Sequence, residues 1–284
     1  MNTWQIGDVK VTRVIELEVT GGSRFILPDA TPERVQRIRW LFPHFMNEAG
    51  KLIMSIHALI VETPEQLIMV DTCLGNDKER LIPGWNMRQG SFLQDIAAAG
   101  YPRESFDTVL CTHLHVDHVG WNTMLIAGQW KPTFSNAQYL FGKKEWEYWK
   151  FAGKRDTEYQ KVMADSIRPI FDSKMVKLVE PDYKICHEVW LEPTPGHTPG
   201  HVSVRISSGG EDALITGDCI HHPCQIANPE WGSSADHDRA EARRTRSSML
   251  ERYTDTSVLI IGTHFATPAS GYLRRDKEGY RLKT

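Results

Sequence analysis

Short apolar runs in the first half of the chain predict strands. The segment VKVTRVIELEV (residues 9–19) alternates between apolar and polar residues, or nearly so, as an outer strand does. The runs IHALIVE and QLIMVD are separated only by TPE, which indicates a buried hairpin. Further along, DTVLCT is typical of a short strand.

Helix-type spacing predicts three helices between residues 31 and 171. TPERVQRIRWLF has proline at its first helical position, and its helically spaced apolar residues include Phe42. SFLQDIAAAG contains a capping box, Ser91 with Gln94, and ends at a glycine. A longer helical stretch is expected from about residue 143 to residue 171.

The second half of the chain returns to strands. EVWLEPT, HVSVRIS, DALITGD and SVLIIGTH predict strands, and a helix through residues 243–253 precedes the last of them. Because strands and helices alternate imperfectly, a layered α/β fold with mixed sheets is favoured over a strictly parallel, doubly wound sheet. No internal repeat or Gly/Ser linker interrupts the pattern, so we expect residues 1–284 to form a single domain.

Composition narrows the classes of function. The net charge is −3, from 33 basic and 36 acidic residues, whereas nucleic-acid binders usually carry a clear basic excess. We therefore expect no nucleic-acid partner. The five cysteines are odd in number and form no CxxC pair, which predicts reduced thiols and a cytoplasmic location. We see neither a signal peptide nor an apolar run of about 20 residues, so no membrane partner is expected.

Four apolar runs end in a residue that can bind a metal ion. LIMVD ends at Asp71, TVLCTH at His113, ALITGD at Asp218 and SVLIIGTH at His264. The ends of strands are where ligands and catalytic groups gather in layered folds, because the sheet fixes their positions. Four such endings predict a shared site at one edge of the sheets.

The segment THLHVDHVGW carries the densest cluster of these residues. His113 and His115 are two positions apart, so in an extended segment both side chains point to the same side and can reach one ion. Asp117 and His118 then turn toward a second position. Zinc suits imidazole and carboxylate ligands. The Gly/Pro-rich loop PTPGHTPGHVS offers two further histidines.

With HxHxDH followed by GH, GD and GTH in this order, the chain resembles the metallo-β-lactamase superfamily from about residue 59 to residue 264. The resemblance implies a four-layer αββα sandwich, in which two mixed β-sheets flanked by helices enclose a binuclear metal centre. It implies a first metal ion bound by His113, His115 and His197. It implies a second metal ion bound by Asp117, His118 and His264. Asp218 would bridge both ions, and Asp71 would orient a ligand histidine through a hydrogen bond.

This resemblance also implies a reaction. Two divalent ions, with zinc expected first and manganese, iron or cobalt as alternatives, share a hydroxide that attacks a carbonyl or phosphoryl group. Asp117 and Asp218 are therefore the candidate catalytic residues. Redox relatives that use iron usually carry glutamate where this chain has His115, so hydrolysis is favoured.

The remaining features point to a branch of the family. Asp218 argues against true β-lactamases, which usually lack the bridging aspartate, and the short chain after His264 cannot hold the helical domain of glyoxalase-type thioesterases. The nuclease alternative lacks a basic arm. We therefore expect a hydrolase of a lactone, carboxylic ester or phosphotriester, with a lactonase first. An organophosphate or aryl-ester hydrolase is the main alternative, and a β-lactamase-like, nuclease or redox metal protein is less favoured.

The sequence also offers candidate residues for contact with the substrate. Trp121 stands where related lactonases carry the second glycine of HxGG, and His221 or His222 stands near the place of their tyrosine. These three residues are candidates for contact with a small-molecule substrate. The segment from about residue 21 to residue 46 precedes the core, and it is a candidate lid or homodimer contact.

Overall fold

Each of the eight predicted strand runs contains a strand, and the structure adds further strands outside those runs. The computed structural model describes residues 2–152, 156–276 and 279–284. Its strands, in chain order, are β1 (Asn2–Ile6), β2 (Val9–Thr20), β3 (Ile53–Glu62), β4 (Leu67–Val70), β5 (Thr108–Leu110), β6 (Thr123–Ile126), β7 (Gln129–Pro132), β8 (Gln138–Gly142), β9 (Val176–Val179), β10 (Val189–Pro193), β11 (Val202–Ser208), β12 (Glu211–Ile215), β13 (Leu259–Ile261), β14 (Ser270–Asp276) and β15 (Gly279–Lys283).

The helices lie between these strands and are mostly short. They are α1 (Pro32–Val35), α2 (Phe92–Ala98), α3 (Lys143–Ala152), α4 (Thr157–Val162), α5 (Arg168–Asp172), α6 (Cys224–Ala227) and α7 (Arg239–Tyr253). A π-helical turn over Met163–Ile167 joins α4 to α5.

Two mixed sheets form the framework. The first has the order β1-β2-β3-β4-β5-β8-β9, and the second has the order β10-β11-β12-β13-β14-β15. In the first sheet β1 to β4 pair antiparallel, as expected for the predicted hairpin, whereas β4, β5, β8 and β9 run parallel. In the second sheet only the β12–β13 pair is parallel among the described pairings.

Alternation along the strands builds the layers. In β3, Leu59 and Val61 join one apolar cluster with residues of the second sheet, whereas Ala58 and Ile60 join another that contains residues of α2 and α4. In β12, Ala213 and Ile215 face the first sheet, while Leu214 packs in a cluster with residues of α7. Because successive side chains point to opposite faces, each sheet packs against the other sheet on one side and against helices on its other side. This is the predicted αββα arrangement.

The parallel pairs place the polar strand ends together. β4 and β5 run parallel side by side, and they are followed by Asp71 and by the segment that contains His113. β12 and β13 are likewise parallel neighbours, and they are followed by Asp218 and His264. Carboxyl ends of parallel strands lie at the same edge of a sheet. The structure therefore brings the four predicted strand ends to a common region.

The first two predicted helices need correction. The helix expected over 31–42 is shorter: only α1 and a 3₁₀ turn at Arg39–Leu41 form, and Phe42 is exposed. Phe42 precedes a proline, which disfavours the helical conformation of that residue. The capping box is also wrong, because the Ser91 hydroxyl donates to the Asp95 carboxylate and its oxygen accepts no backbone N–H of the helix.

The helix expected over 143–171 is confirmed in parts. It consists of α3, α4, the π-helical turn and α5, while residues 153–155 lie outside the described residues. All five cysteines are buried with free thiols, as the composition predicts. Among the described residues, none of the helices combines the length and the apolar composition needed to cross a membrane.

Candidate metal centre

Three histidines, of which His113 and His197 are buried and His115 is half-buried, point ring nitrogens at one another, and we call them the first group. His113 Nε2 lies 3.0 Å from His115 Nδ1, and His197 Nε2 lies 2.9 Å from the same Nδ1. A neutral imidazole offers one donor and one acceptor nitrogen, so three nitrogens facing a common point cannot all be satisfied by one another. A cation at that point would satisfy all three lone pairs.

A second group consists of Asp117, His118 and His264. The carboxylate of Asp117 lies 3.7 Å from His118 Nε2 through one oxygen and 3.6 Å from His264 Nε2 through the other. His118 Nε2 is buried and has no hydrogen-bond partner. Such an orphaned polar atom is costly in a protein interior unless something else contacts it.

Asp218 lies between the two groups. Its Oδ2 is 3.8 Å from His113 Nε2 and 3.4 Å from His197 Nε2. Its Oδ1 is 3.3 Å from His118 Nε2 and 3.1 Å from His264 Nε2, and it has no hydrogen-bond partner. One carboxylate therefore presents one oxygen to each group, which is the arrangement that a bridging ligand requires.

These separations fit divalent ions. The ligand-type atoms of His113, His115, His197 and Asp218 all lie within 4.8 Å of one another, and so do those of Asp117, His118 and His264. A tetrahedral zinc ion with bonds of about 2.0–2.2 Å holds its ligand atoms about 3.3–3.6 Å apart. The two groups have the membership that the resemblance implies. The donor set is imidazole and carboxylate, which suits zinc and also accepts other first-row divalent ions.

Asp71 fixes the orientation of His118. Its carboxylate accepts hydrogen bonds from the Thr112 backbone N–H, at 2.8 Å, and from His118 Nδ1, at 2.9 Å. With the proton of His118 held on Nδ1, the lone pair of Nε2 faces the second group. Asp71 follows β4 directly and adopts a left-handed φ of 58°, which turns the chain at this point.

Two further contacts orient histidines in the same way, and sequence reasoning missed both. Asp236 accepts from His197 Nδ1 at 3.0 Å and from the Ser233 N–H at 2.8 Å. The backbone oxygen of Ser55 accepts from His264 Nδ1 at 2.9 Å. Asp236 lies in a loop with no recognisable motif, and a backbone carbonyl leaves no trace in a sequence.

His201, the second histidine of the Gly/Pro-rich loop, contacts the backbone beside the two groups. His201 Nε2 accepts the Asp218 backbone N–H at 2.8 Å, so the ring must carry its proton on Nδ1, which donates to the Thr194 carbonyl. Burial lowers the pKa of His201 to about 4, in agreement with a neutral ring. His201 therefore holds the backbone of Asp218 rather than joining either group.

Burial keeps the first group neutral. It lowers the pKa of His113 and His197 well below their usual range and that of His115 to about 4. Neutral imidazoles have lone pairs available for a metal ion.

Nearby carboxylates determine the pKa of the two histidines in the second group. Burial alone would lower the pKa of His264, but the charges of Asp218 and Asp117 outweigh it and raise that pKa to about 9. The pKa of His118 is raised for the same reason. These carboxylates therefore require positive charge beside them, from protons or from a metal ion.

A cavity of about 490 Å³ opens onto both groups. Its polar side is formed by His115, Asp117, His197, Asp218, His221 and His264. Its remaining walls are mainly apolar and come from segments 17–26, 54–56 and 82–85 together with Val116 and Ala235. A cavity with a polar floor and apolar walls suits a ligand with one reactive polar group and an apolar remainder.

Only one of the three candidate substrate residues lines this cavity. His221 does, and neither of its ring nitrogens has a hydrogen-bond partner. Trp121 does not: its indole N–H donates to Glu16 at 2.7 Å, and its ring stacks on Phe92. His222 is fully buried, with Nε2 bonded to the Phe45 carbonyl. Both are corrections, because these side chains turn into the core rather than toward the cavity.

The candidate lid segment divides into two parts. Gly21, Gly22, Ser23, Phe25 and Ile26 line the cavity. The part from Leu27 onward is anchored in the core by Leu27, Val35, Leu41 and Phe45, which are almost completely buried. The segment therefore supplies one wall of the cavity, and its movement and any contact with a second copy stay predictions.

Curated relatives are similar to this chain over part of their length. An N-acyl homoserine lactonase of Bacillus cereus is 28% identical over 178 residues, which cover 57% of this chain and 62% of that protein. An N-acyl homoserine lactonase of Bacillus thuringiensis is 27% identical over 182 residues, which cover 58% of this chain and 64% of that protein. The chain thus spans less than two thirds of the length of these relatives.

Solved structures share the fold over nearly the whole chain. AidC, a dizinc quorum-quenching lactonase in complex with a product, N-hexnoyl-L-homoserine, superposes with a TM-score of 0.81 at 23% identity, covering 99% of this chain and 96% of that one. The hydrolase AbOPH superposes with a TM-score of 0.81 at 24% identity and the same coverage. At this identity the likeness shows the fold alone.

The match of a family model joins these observations. The model described as the metallo-beta-lactamase superfamily matches residues 54–264, most of the chain, and this range contains every residue of the two groups. The paired sheets, the two groups at the strand ends and this match agree: the chain belongs to the metallo-β-lactamase superfamily.

Proposed function

We propose that this protein is a metal-dependent hydrolase, and specifically a lactonase that opens the ring of a lactone with an apolar substituent. The observation that carries the proposal is the cavity, whose polar floor of histidines and aspartates lies beneath mainly apolar walls. A lactone ring offers one ester group for the floor, and an apolar substituent offers surface for the walls. The similarity to N-acyl homoserine lactonases supports the same choice.

The proposed ligands are the residues of the two groups. The first group would hold one divalent ion, the second group would hold another, and Asp218 would contact both. Zinc is the proposed metal, because imidazole nitrogens and carboxylate oxygens at these separations suit its tetrahedral geometry. When bound, the two ions would supply an activated water molecule and polarise the carbonyl of the substrate.

Asp117 is the proposed proton carrier. Its carboxylate is part of the cavity wall and retains 15% of its side-chain exposure, so it can meet both water and substrate. In ring opening, the water oxygen joins the carbonyl carbon and the ring C–O bond breaks. Asp117 would take the proton that the water gives up and deliver it to the ring oxygen, which becomes the hydroxyl of the product.

His221 is the proposed substrate-positioning residue. It lies in the cavity beside Asp218, with 3.3 Å between His221 Nε2 and Asp218 Oδ2, and its ring nitrogens lack partners. A buried imidazole without a partner is costly, and a hydrogen bond to a substrate oxygen would remove that cost. The apolar walls would exclude water around this contact.

Two broader features of the chain fit this proposal. An apolar cluster shared by both sheets supports a single domain over residues 1–284. Five free, buried thiols support a reducing compartment, and we propose the cytoplasm.

A substrate panel tests the proposal. Purified protein of known metal content would be assayed on lactones with short and long acyl substituents, aryl esters, a phosphotriester and a cephalosporin. We expect the highest kcat/KM for a lactone with a long acyl chain, complete loss of turnover on chelation, and recovery with Zn²⁺. Turnover of the aryl ester or phosphotriester without lactone hydrolysis would contradict the proposal in favour of the ester-hydrolase alternative.

A further inference from the structure

We propose that Glu145 is a positioning residue for the first group alone, so that its carboxylate sets the affinity of one metal ion and not of the other. This inference rests on the proposed metal ligands of the previous section. It assigns a specific part to a residue that belongs to neither group and does not line the cavity.

The Glu145 carboxylate is buried and accepts three hydrogen bonds. Glu145 is the third residue of α3, and only 1% of its surface is exposed. Its Oε1 accepts the Leu114 backbone N–H at 3.1 Å and the Trp149 indole N–H at 2.6 Å. Its Oε2 accepts the Gly200 backbone N–H at 3.0 Å. Hydrogen bonds from N–H donors to a carboxylate are among the strong ones in proteins.

Each of these donors lies close to a histidine of the first group, in the chain or in space. Leu114 lies between His113 and His115 in the chain. The Trp149 ring contacts the His115 ring edge-on, with 5.4 Å between the centroids. Gly200 belongs to the loop that contains His197. One carboxylate thus connects two separate chain segments that carry all three histidines.

The loop that contains Gly200 lies directly against α3. A Cβ atom on Gly200 would come within 2.2 Å of the Glu145 backbone nitrogen and 2.6 Å of its Cα. Real contacts of this kind do not occur, so only glycine allows the loop to approach the helix this closely.

The second group depends on other contacts. Asp71 orients His118, and the Ser55 carbonyl orients His264. Neither contact involves α3 or the Gly200 loop. Loss of the Glu145 carboxylate should therefore disturb the second group much less than the first.

Glu16 provides a matched control. Its carboxylate, at a β-bulge in β2, accepts the backbone N–H groups of Leu74 and Gly75 and the Trp121 indole N–H. The number and type of these hydrogen bonds equal those of Glu145, but none of the donors is adjacent in the chain to a residue of either group, as Leu114 is. Glu16→Gln therefore measures what the loss of such a carboxylate does to the fold alone.

The experiment measures zinc affinity by competition with a chromophoric chelator, without substrate. In a His118→Ala background, which leaves the first group intact, we expect Glu145→Gln to weaken the remaining ion by about 10- to 100-fold, the usual effect of losing a partner behind a metal ligand. In a His197→Ala background, which leaves the second group intact, Glu145→Gln should change the affinity less than about threefold. Glu16→Gln should leave both affinities unchanged.

The absorption spectrum of the cobalt-substituted protein gives a second readout. We expect Glu145→Gln to change the d–d bands in the His118→Ala background only, because the geometry of the first group changes. If Glu145→Gln does not fold, Trp149→Phe removes one hydrogen bond while keeping an aromatic ring against His115. Its expected effect is smaller but confined to the same ion.

Two results would overturn the inference. One is an equal loss of affinity in both backgrounds, and the other is a change in melting temperature with no change in affinity, as expected for Glu16→Gln. These differ from failure of the proposed function itself, in which the unsubstituted protein binds fewer than two ions or binds two ions without hydrolysing lactones.

Discussion

The two halves of the proposed metal centre are supported by different parts of the molecule. The first group is held by side chains from outside the sheets, Glu145 of α3 and Asp236 of a loop. The second group is held by the sheet framework, Asp71 directly after β4 and the Ser55 carbonyl within β3. A sheet is braced by its neighbouring strands, whereas a loop relies on the few contacts that it makes. The first group should therefore be the half that single substitutions change most easily.

The halves also differ in charge. The first group consists of imidazoles that burial keeps neutral, whereas the second group includes a carboxylate of its own. Asp218 is the one residue common to both, because one oxygen faces each group. Substitutions at the shared residue, at each half separately, and outside both should accordingly have graded effects.

The largest effect is expected at the shared residue. Asp218→Ala removes a ligand-type oxygen from each half and leaves His118 and His264 without their carboxylate partner. We expect both ions to bind weakly and kcat/KM for the best lactone to fall by about 10³-fold or more. Metal analysis of the dialysed variant together with steady-state kinetics checks this. Two ions retained with full activity would remove Asp218 from the centre.

The next largest effects are expected at the two aspartates that orient histidines, because each aspartate serves only one half. Asp236→Asn should weaken the ion of the first group and Asp71→Asn that of the second, each by about 10- to 100-fold, because each variant replaces one of two occupied acceptor oxygens with an amide donor and removes the negative charge behind a histidine. Zinc titration of each variant in the His118→Ala and His197→Ala backgrounds identifies the affected ion. If Asp236→Asn weakened only the second ion, the assignment of partners to halves would be wrong.

A smaller effect is expected at the cavity mouth. Phe25 lines the cavity but remains 58% exposed, so Phe25→Ala removes only part of an apolar wall. We expect KM for a long-chain lactone to rise by about 3- to 10-fold with kcat and both zinc affinities unchanged. Leu81→Ala is the matched control, since Leu81 is also an exposed apolar residue but does not line the cavity. A rise in KM of equal size in the control would show a general effect of surface truncation.

The smallest effect on the two groups is expected from substitutions in a buried charge cluster that lies apart from them. Asp165 is paired with Arg80 through two hydrogen bonds, so the ammonium of the nearby, buried Lys78 is a surplus positive charge. Burial lowers the pKa of Lys78 from 10.5 to about 7. The folded state therefore binds fewer protons than the unfolded state between these values, and the free energy of unfolding should rise as pH increases from about 7 to 10.5.

Lys78→Met should remove this part of the pH dependence while leaving both zinc affinities unchanged. Denaturant unfolding at pH 7, 8.5 and 10, compared between variant and unsubstituted protein, measures it. An identical slope in the two proteins would mean that Lys78 keeps its ordinary pKa in the fold.

The residues of the two groups could be predicted from the sequence because their pattern is local. His113, His115, Asp117 and His118 follow one strand within six positions, and the strand ends at Asp71, Asp218 and His264 are each marked by an apolar run. The period of the strands likewise predicts the two sheets, because alternation reports which face of a strand is buried.

The contacts that orient these residues could not be predicted from the sequence, because they join distant parts of the chain. Glu145 contacts residues 31 and 55 positions away, and the Ser55 carbonyl contacts His264 from 209 positions away. Trp121 shows the reverse error: its closeness to the ligands in sequence suggests a substrate contact, but its side chain turns to Glu16, 105 positions away. Local spacing indicates which side chains can act together, while long-range packing decides which of them reach the cavity.

Each of the two groups draws on both sheets. His113, His115, Asp117 and His118 follow a strand of the first sheet, whereas His197 and His264 follow strands of the second. A bound ion would therefore act as a cross-link between the N-terminal and C-terminal parts of the chain, much as a disulfide does in a secreted protein. At a free zinc concentration one hundred times its dissociation constant, each ion would add about 2.7 kcal/mol to the free energy of unfolding. In such a molecule the bound metal would stabilise the fold as well as serve the proposed reaction, so the zinc concentration would set the free energy of unfolding as well as the activity.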